Sequence, residues 1–231
     1  MKSVKKAKSI AIVDYGLGNL FSIKNACEFS GLAATITSSA YDLEKASAVI
    51  LPGVGAFGEA MRHLKKLDLV IPLRDLAASG KPLVGICLGM QLLMSESREF
   101  GANKGLEIIQ GEVLPFNEKL SLSDFKVPHI GWNCIYHEND DARSKWCNSL
   151  LCNVPENAMM YFVHSYYCEP YQPEVVLSKT RYGGITFCSS FSSGNVHAFQ
   201  FHPERSGREG LLIYKALAQL LLNNHKEEVD V

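Results

Sequence analysis

The run Pro82-Leu83-Val84-Gly85-Ile86 passes directly into Cys87-Leu88-Gly89-Met90-Gln91, an apolar strand that breaks into a helical pattern at a single cysteine. A tight strand-to-helix turn of this kind presents a nucleophile sharply. Gly85 and Gly89 flank the cysteine at two residues' distance and relieve the crowding that such an elbow creates. The helix that follows aims its N-terminal N–H groups and positive dipole end at the sulfur, which favours a thiolate and an oxyanion beside it. Taken alone, Cys87 also fits a core cysteine among incidental glycines.

A nucleophilic thiol needs a base, and the base needs a third group to hold its tautomer. The segment Val196-His197-Ala198-Phe199-Gln200-Phe201-His202-Pro203-Glu204 supplies both. Pro203 disfavours helix at His202, so the segment is expected to be extended, with His202 and Glu204 projecting to the same side. Of the seven histidines, His202 has a partner geometry readable from sequence, whereas His63, His137 and His225 lie in strongly polar surroundings.

The rest of the chain alternates strand and helix. Ile10-Ala11-Ile12-Val13 suits a strand buried on both faces, Asn19 is placed to cap a helix to about Ser30, and Gly31 to stop it. Residues 48–51 and 82–86 repeat the pattern, each run feeding a glycine-rich loop. This βαβ rhythm predicts a doubly wound, mostly parallel α/β sheet with its active loops at the carboxyl ends of the strands, where Asp14, Gly53 and Cys87 fall. Between about 105 and 194, Pro115, Pro128, Pro155, Pro170 and Pro173 punctuate shorter strands, read as appended antiparallel hairpins. A last helix over about 208–222 carries Leu211, Leu212, Tyr214, Leu217, Leu220 and Leu221 as a core-facing stripe. The boundaries expected are a basic tail at 1–9 bearing Lys2, Lys5, Lys6 and Lys8, one domain over 10–223, and a solvated tail at 224–231.

Composition narrows the function classes. At 231 residues and 47% hydrophobic the chain can bury one sizeable core, and a formal net charge of −1 gives no electrostatic case for nucleic acid or a membrane surface. No apolar stretch approaches the length of a bilayer span, and no apolar signal region follows the basic tip, so secretion is not expected. Seven cysteines, an odd number without C-x-x-C spacing, fit reduced thiols in a cytoplasm better than a disulfide framework or a zinc site. Gly16-Leu17-Gly18 after a strand has the start of a dinucleotide loop, but Phe21 stands where the third glycine belongs, and Ser38 and Ser39 where a ribose-binding acid belongs, so a nicotinamide enzyme is rejected. No cofactor or metal is expected.

Cys87, His202 and Glu204, with Gln91 one helical turn beyond the cysteine, resemble the class I glutamine amidotransferase family, which has a flavodoxin-like α/β fold. The resemblance runs from about residue 10 to 222. It implies that the three residues form a Cys-His-Glu triad that hydrolyses glutamine to glutamate and ammonia. Leu51-Pro52-Gly53-Val54-Gly55-Ala56-Phe57-Gly58 looks like the family's oxyanion strand, so Gly53, Val54 and Gly55 join the backbone N–H of Leu88 as expected oxyanion contacts. Gln91 is expected to bind the α-amino or carboxylate end of glutamine, with Glu96 a weaker candidate of the same kind.

The Pro-Gly-Val-Gly form, with Asp14-Tyr15-Gly16-Leu17-Gly18-Asn19 and Pro128-His129-Ile130-Gly131-Trp132-Asn133, most resembles the glutaminase subunits of imidazole glycerol phosphate synthases. That implies a heterodimer with a (β/α)8-barrel cyclase that receives the ammonia in histidine biosynthesis. His129, Trp132, Asn133, Tyr161 and Arg205 would face this partner. Arg205 departs from the lysine the family commonly carries there, and arginine's planar fork is not equivalent. Related subunits supplying surface-sugar amidotransferases therefore remain an alternative, as does a free-standing cysteine hydrolase or peptidase. A third reading is a regulatory pseudo-glutaminase that binds and positions a synthase, which the presence of all three triad residues argues against.

Overall fold

A computed structural model describes residues 9–116 and 125–227. The first half is a βα alternation: β1 (Ser9–Val13), α1 (Leu20–Phe29), β2 (Ala33–Thr37), α2 (Ala40–Lys45), β3 (Ala48–Leu51), α3 (Phe57–Lys66), α4 (Val70–Ala78), β4 (Leu83–Ile86) and α5 (Leu88–Leu92). The second half runs β5 (Met94–Ser97), β6 (Asn103–Lys104), β7 (Ile109–Pro115), β8 (His129–Cys134), α6 (Asp140–Cys147), β9 (Met159–His164), β10 (Tyr166–Pro170), β11 (Val176–Tyr182), β12 (Ile185–Ser193), β13 (Val196–Phe199), a 3-10 turn (Pro203–Arg205) and α7 (Gly207–Glu227).

Among the described residues one large sheet has the order β2-β1-β3-β4-β13-β12-β10-β7-β5-β6, with β11 paired to β12. Its β2-β1-β3-β4-β13 half is parallel. From β13 onward the β12, β10 and β7 pairings turn antiparallel. These later strands continue the main sheet edge to edge, while β8 and β9 make a separate two-stranded ribbon. Helix α6 interrupts a region the sequence reads as hairpins alone.

The parallel strands are continuous apolar runs because both of their faces are covered. Ile10 and Ile12 of β1 enter one core layer with Ile50, Ile86 and Phe199. Ala11 and Val13 enter the other with Val49, Leu51 and Ala198. Helices α1 and α7 close the first layer through Ile23, Cys27, Ile213 and Leu217. Helices α2, α3 and α4 close the second through Leu43, Leu64 and Leu73. Asn19 occupies the N-cap position of α1 without a side-chain cap hydrogen bond, and Ser30 ends the helix ahead of Gly31 at φ +82°.

Helix α7 continues to Glu227, past the boundary expected at 223, since nothing between Leu222 and Glu227 is a glycine or proline stop. The basic tip at residues 1–8 and the terminal residues 228–231 lie outside the described residues.

The elbow depends on close backbone approach. A Cβ on Gly89 would lie 1.8 Å from the carbonyl oxygen of Leu51, the last residue of β3. Gly89→Ala should therefore force α5 away from β3 and cost roughly 3 kcal/mol or more. Gly80→Ala, at φ +81° with open space around it, should cost only roughly 1–2 kcal/mol. Urea-unfolding midpoints of the two variants check the difference.

Candidate active site

Strand β4 lies between β3 and β13 in parallel register, with Gly85 opposite Leu51 and Ile86 opposite Phe199. All three strands therefore end at one edge, and Pro52, Cys87 and Gln200 leave the sheet side by side. Cys87 sits at φ +54°, ψ −110°, a sparsely populated conformation for a residue with a side chain. Its N–H donates to Phe199 O at 2.7 Å, and Gln91 N–H returns to Cys87 O at 3.2 Å. The surroundings thus hold the strained turn from both sides. Helix α5 is only five residues long, because the chain turns at Leu93 into β5. The dipole expected behind the sulfur is correspondingly short. Leu88, first in the helix, has a backbone N–H with no intrahelical acceptor.

His202 is extended at φ −102°, ψ 93°, as expected, but Pro203–Arg205 forms a 3-10 turn. Pro203 begins this turn, so the Glu204 carboxylate reaches the imidazole by chain reversal and not along an extended strand. Nδ1 of His202 lies 2.8 Å from Oε1 of Glu204, with both side chains largely buried. His202 is further fixed through its backbone. Its N–H donates to Tyr161 O at 2.9 Å. Ser206 Oγ donates to His202 O at 2.6 Å and accepts from Tyr161 N–H at 3.0 Å. Burial alone depresses the imidazole's proton affinity, but the adjacent Cys87 sulfur, followed by Glu204, outweighs it and pushes the pKa up to about 10. Nε2 of His202 makes no closed hydrogen bond and couples to the thiol electrostatically.

The segment expected to face the oxyanion is tightly shaped. Tyr15 Oη donates to Pro52 O at 2.7 Å, and a Cβ on Gly53 would lie 2.2 Å from that hydroxyl. Val54 is 40% exposed, and the exposed Gly55 has φ +98°. The half-buried carboxylate of Glu99 accepts from Phe57 N–H at the start of α3 and ties down the far end of the segment. Sequence reading passed over Tyr15, Glu99, Gln200 and Ser206; the alternating pattern of β13 carried a signal for Gln200, which stands two residues before His202.

Gln91 is brought to the site but is not free. Its side-chain Nε2 donates to Tyr166 O at 3.0 Å and to Gln200 Oε1 at 3.2 Å. The Gln200 amide in turn donates to Cys87 Sγ at 3.8 Å, and the thiol faces Val163 O at 3.8 Å. Glu96 is not brought to the triad. It is exposed on β5 opposite Lys104 and Glu112, because β5 belongs to the far edge of the sheet.

The β8–β9 ribbon corrects the expectation that all of residues 129–133 face outward. Alternate residues of a strand must face opposite ways. Ile130 and Trp132 are 59% and 54% exposed, while His129 is buried. His129 stacks between Phe162 at 4.9 Å and Tyr182 at 4.0 Å. Asn133, on the same side of the strand, is half-buried and donates to Arg181 O at 3.0 Å and to His129 Nε2 at 3.4 Å. His129 Nδ1 meets His164 Nε2 at 3.0 Å, and His164 Nδ1 meets Tyr166 O at 2.8 Å. Tyr161 and Arg205 do reach the surface, the guanidinium lying 4.7 Å over the tyrosine ring and Trp132 packing edge-on to it at 6.0 Å.

All seven cysteines are free thiols in the structure. Among the described residues, no group of three or more His, Cys, Asp or Glu side chains converges as a metal site, and no helix is long and apolar enough to cross a membrane.

These histidines predict a pH profile for stability. Burial lowers His129 to about 4 and His164 to about 3, from 6.5. Between pH ~6.5 and ~4 the unfolded chain binds protons that the folded chain refuses, so stability falls on acidification. His202 acts at the other end: its contribution is full below pH ~6.5 and is lost as pH rises through about 10. Denaturant titrations should therefore peak near neutrality, with a loss on the order of 1–2 kcal/mol for each buried histidine between pH 7 and 5. A flat profile there would contradict the buried neutral pair.

Comparison with known proteins agrees with this geometry. The model of the glutamine amidotransferase class-I family matches residues 11–216. Imidazole glycerol phosphate synthase subunit HisH 1 of Legionella pneumophila (strain Paris) is 39% identical over 213 residues, covering 92% of this chain and 99% of the relative. The HisH subunit of Chlorobium chlorochromatii is 43% identical over 211 residues, covering 91% and 100%. At the level of fold, PurLQS from Thermotoga maritima superimposes with a TM-score of 0.66 at 20% identity, covering 95% of this chain and 99% of that one. A glutamine amidotransferase from the same organism gives 0.54 at 17% identity, covering 96% and 92%. With the family model spanning most of its length and Cys87, His202 and Glu204 converging at one sheet edge, the chain belongs to the class-I glutamine amidotransferases.

Proposed function

We propose that this chain is the glutaminase subunit of an imidazole glycerol phosphate synthase, releasing ammonia from L-glutamine for a cyclase partner in histidine biosynthesis. The observation that carries the reading is the convergence of Cys87, His202 and Glu204 at the carboxyl edge of the sheet, in a chain similar over most of its length to HisH subunits.

The chemistry follows from the positions. His202 takes the thiol proton, and Cys87 sulfur attacks the side-chain amide carbon of glutamine. The resulting oxyanion is held by Leu88 N–H and by a peptide of the Gly53-Val54-Gly55 segment. The C–N bond then breaks, His202 returns its proton to the departing nitrogen, and ammonia leaves a thioester. Water, deprotonated by His202, attacks that thioester, glutamate is released and the thiol is restored. Glu204 holds the imidazole through Nδ1, which leaves Nε2 to face the thiol. With both protons of the Gln91 amide spent on Tyr166 and Gln200, its oxygen remains as an acceptor, which suits the α-ammonium group of glutamine and not its carboxylate.

Free ammonia is protonated and lost at neutral pH, so the product needs a receiving protein close by. The exposed Ile130, Trp132 and Met159, with Arg205 stacked on Tyr161, form an apolar and cationic face next to the triad, which supports docking of the (β/α)8-barrel cyclase there. On this reading the buried His129 lies beneath the face and supports it, with the half-buried Asn133 hydrogen-bonded to it.

Mixing the chain with the cyclase of its own organism should yield imidazole glycerol phosphate from glutamine and the phosphoribulosyl formimino carboxamide nucleotide. Failure with an active cyclase would favour the surface-sugar alternative. Cys87→Ala should abolish glutamine-dependent synthesis by several orders of magnitude and spare ammonium-dependent synthesis. His202→Ala should match it, and Glu204→Gln should be milder. Arg205→Ala should weaken glutamine-dependent synthesis by roughly 2 kcal/mol or more if the arginine pairs with a buried partner carboxylate. An equal effect on both nitrogen sources would place Arg205 outside the coupling face.

A further inference from the structure

Gln200 is wholly buried, follows β13 directly, and belongs to neither the triad nor the oxyanion segment. The parallel register places it beside the nucleophile: Phe199 lies opposite Ile86, so the next step of each strand sets Gln200 against Cys87. The backbone is pinned on both sides of this step. Cys87 N–H donates to Phe199 O at 2.7 Å, and Gln200 N–H donates to Ser189 O at 2.9 Å.

The side-chain network fixes which end of the Gln200 amide meets the sulfur. Tyr166 O can only accept, so the Gln91 atom 3.0 Å from it must be the NH2. The second proton of that NH2 goes to Gln200, whose facing atom must then be the carbonyl oxygen, at 3.2 Å. The Gln200 NH2 is left pointing at Cys87 Sγ, 3.8 Å away. Reversing the amide would set the Gln200 NH2 against the Gln91 NH2 and an oxygen lone pair against the thiolate. His164 Nδ1 donates to the same Tyr166 carbonyl, which anchors the far end of the chain on the buried histidine pair.

We infer that Gln200 is a further catalytic residue of this site: its amide NH2 donates to the Cys87 sulfur, stabilises the thiolate, and keeps it aimed at the substrate carbon. Gln91 acts as the positioning residue that holds the Gln200 amide in this sense. Sulfur carries its full negative charge before attack and loses it as the S–C bond forms, so the donor serves chiefly to keep a reactive thiolate present. His202 approaches from the same strand end two residues later, so one segment supplies both the base and a neutral donor. The inference rests on Cys87 being the glutaminase nucleophile.

The test is Gln200→Glu, an isosteric change that keeps an acceptor for Gln91 and replaces the donor with an oxygen. Gln200→Met serves as an uncharged second variant should the first fold poorly, with thermal melts reporting folding. The probe is iodoacetamide, whose carbon is taken by the Cys87 thiolate with loss of iodide. Alkylation is followed at Cys87 by peptide mass spectrometry, beside steady-state glutamine hydrolysis by the chain in complex with its cyclase. Both the Cys87 alkylation rate and kcat should fall on the order of 10- to 100-fold, the scale of one hydrogen bond to a charged group, while KM for glutamine changes less than about threefold. Ammonium-dependent synthesis should be unchanged. A folded variant whose alkylation rate and kcat stay within about twofold of wild type, or whose loss lies in KM, overturns the inference. If instead Cys87→Ala still hydrolyses glutamine, the glutaminase reading itself fails, and the two failures are told apart.

Discussion

The parallel pairing of β4 with β3 on one side and β13 on the other is the constraint from which the site follows. It ends three strands at one edge, β4 and β13 level with each other and β3 one residue earlier in register. Leu51 hands over to the Gly53–Gly55 segment, Ile86 to Cys87, and Phe199 to Gln200 and His202. Because both faces of these strands are buried, a slip of register would exchange the two core layers, so the alignment of Cys87 with Gln200 and His202 is secured by apolar packing. The approach of Gly89 to Leu51 closes the same junction and lets a strained cysteine sit where the three loops meet.

A polar chain crosses this apolar frame. From the Cys87 sulfur it runs through Gln200, Gln91, Tyr166 O, His164 and His129 to Asn133. Each link has one consistent donor and acceptor sense when both histidines are neutral. The cage of Phe116, Phe162, Tyr182 and Phe187 around the pair keeps them so, since a buried imidazolium would lack a counter-charge there. Such a network is costly if half satisfied and rigid when complete. It joins the nucleophile to β8, whose opposite face carries Ile130 and Trp132, so a ligand that displaces the ribbon would be felt at the thiol's hydrogen bonds.

Much of this was legible in the sequence. Apolar runs of four residues placed β1, β3 and β4, and the glycines around Cys87 announced the elbow. His-Pro-Glu announced the His202–Glu204 pairing, although Pro203 delivers Glu204 by a 3-10 turn where an extended chain is expected. What local pattern cannot carry is pairing between distant segments. Gln200 acquires meaning only from the β13–β4 register, and Tyr15 only from its contact with Pro52. In the ribbon, period-two alternation buries His129, expected at the surface, leaves Asn133 half-buried on the same side, and turns Trp132 to solvent. Glu96, a weaker substrate-binding candidate by resemblance, stands on β5 because α5 ends at Leu92 and the chain becomes a strand toward the far edge.

The central claim is that Cys87, delivered by that register, carries the glutamyl group during turnover. Rapid acid quench of the complex turning over glutamine, followed by intact and peptide mass spectrometry, tests it most directly. The account predicts a single added glutamyl group, held as a thioester on the peptide containing Cys87 and discharged by hydroxylamine. Glutamine consumption with the acyl group on another residue would contradict it.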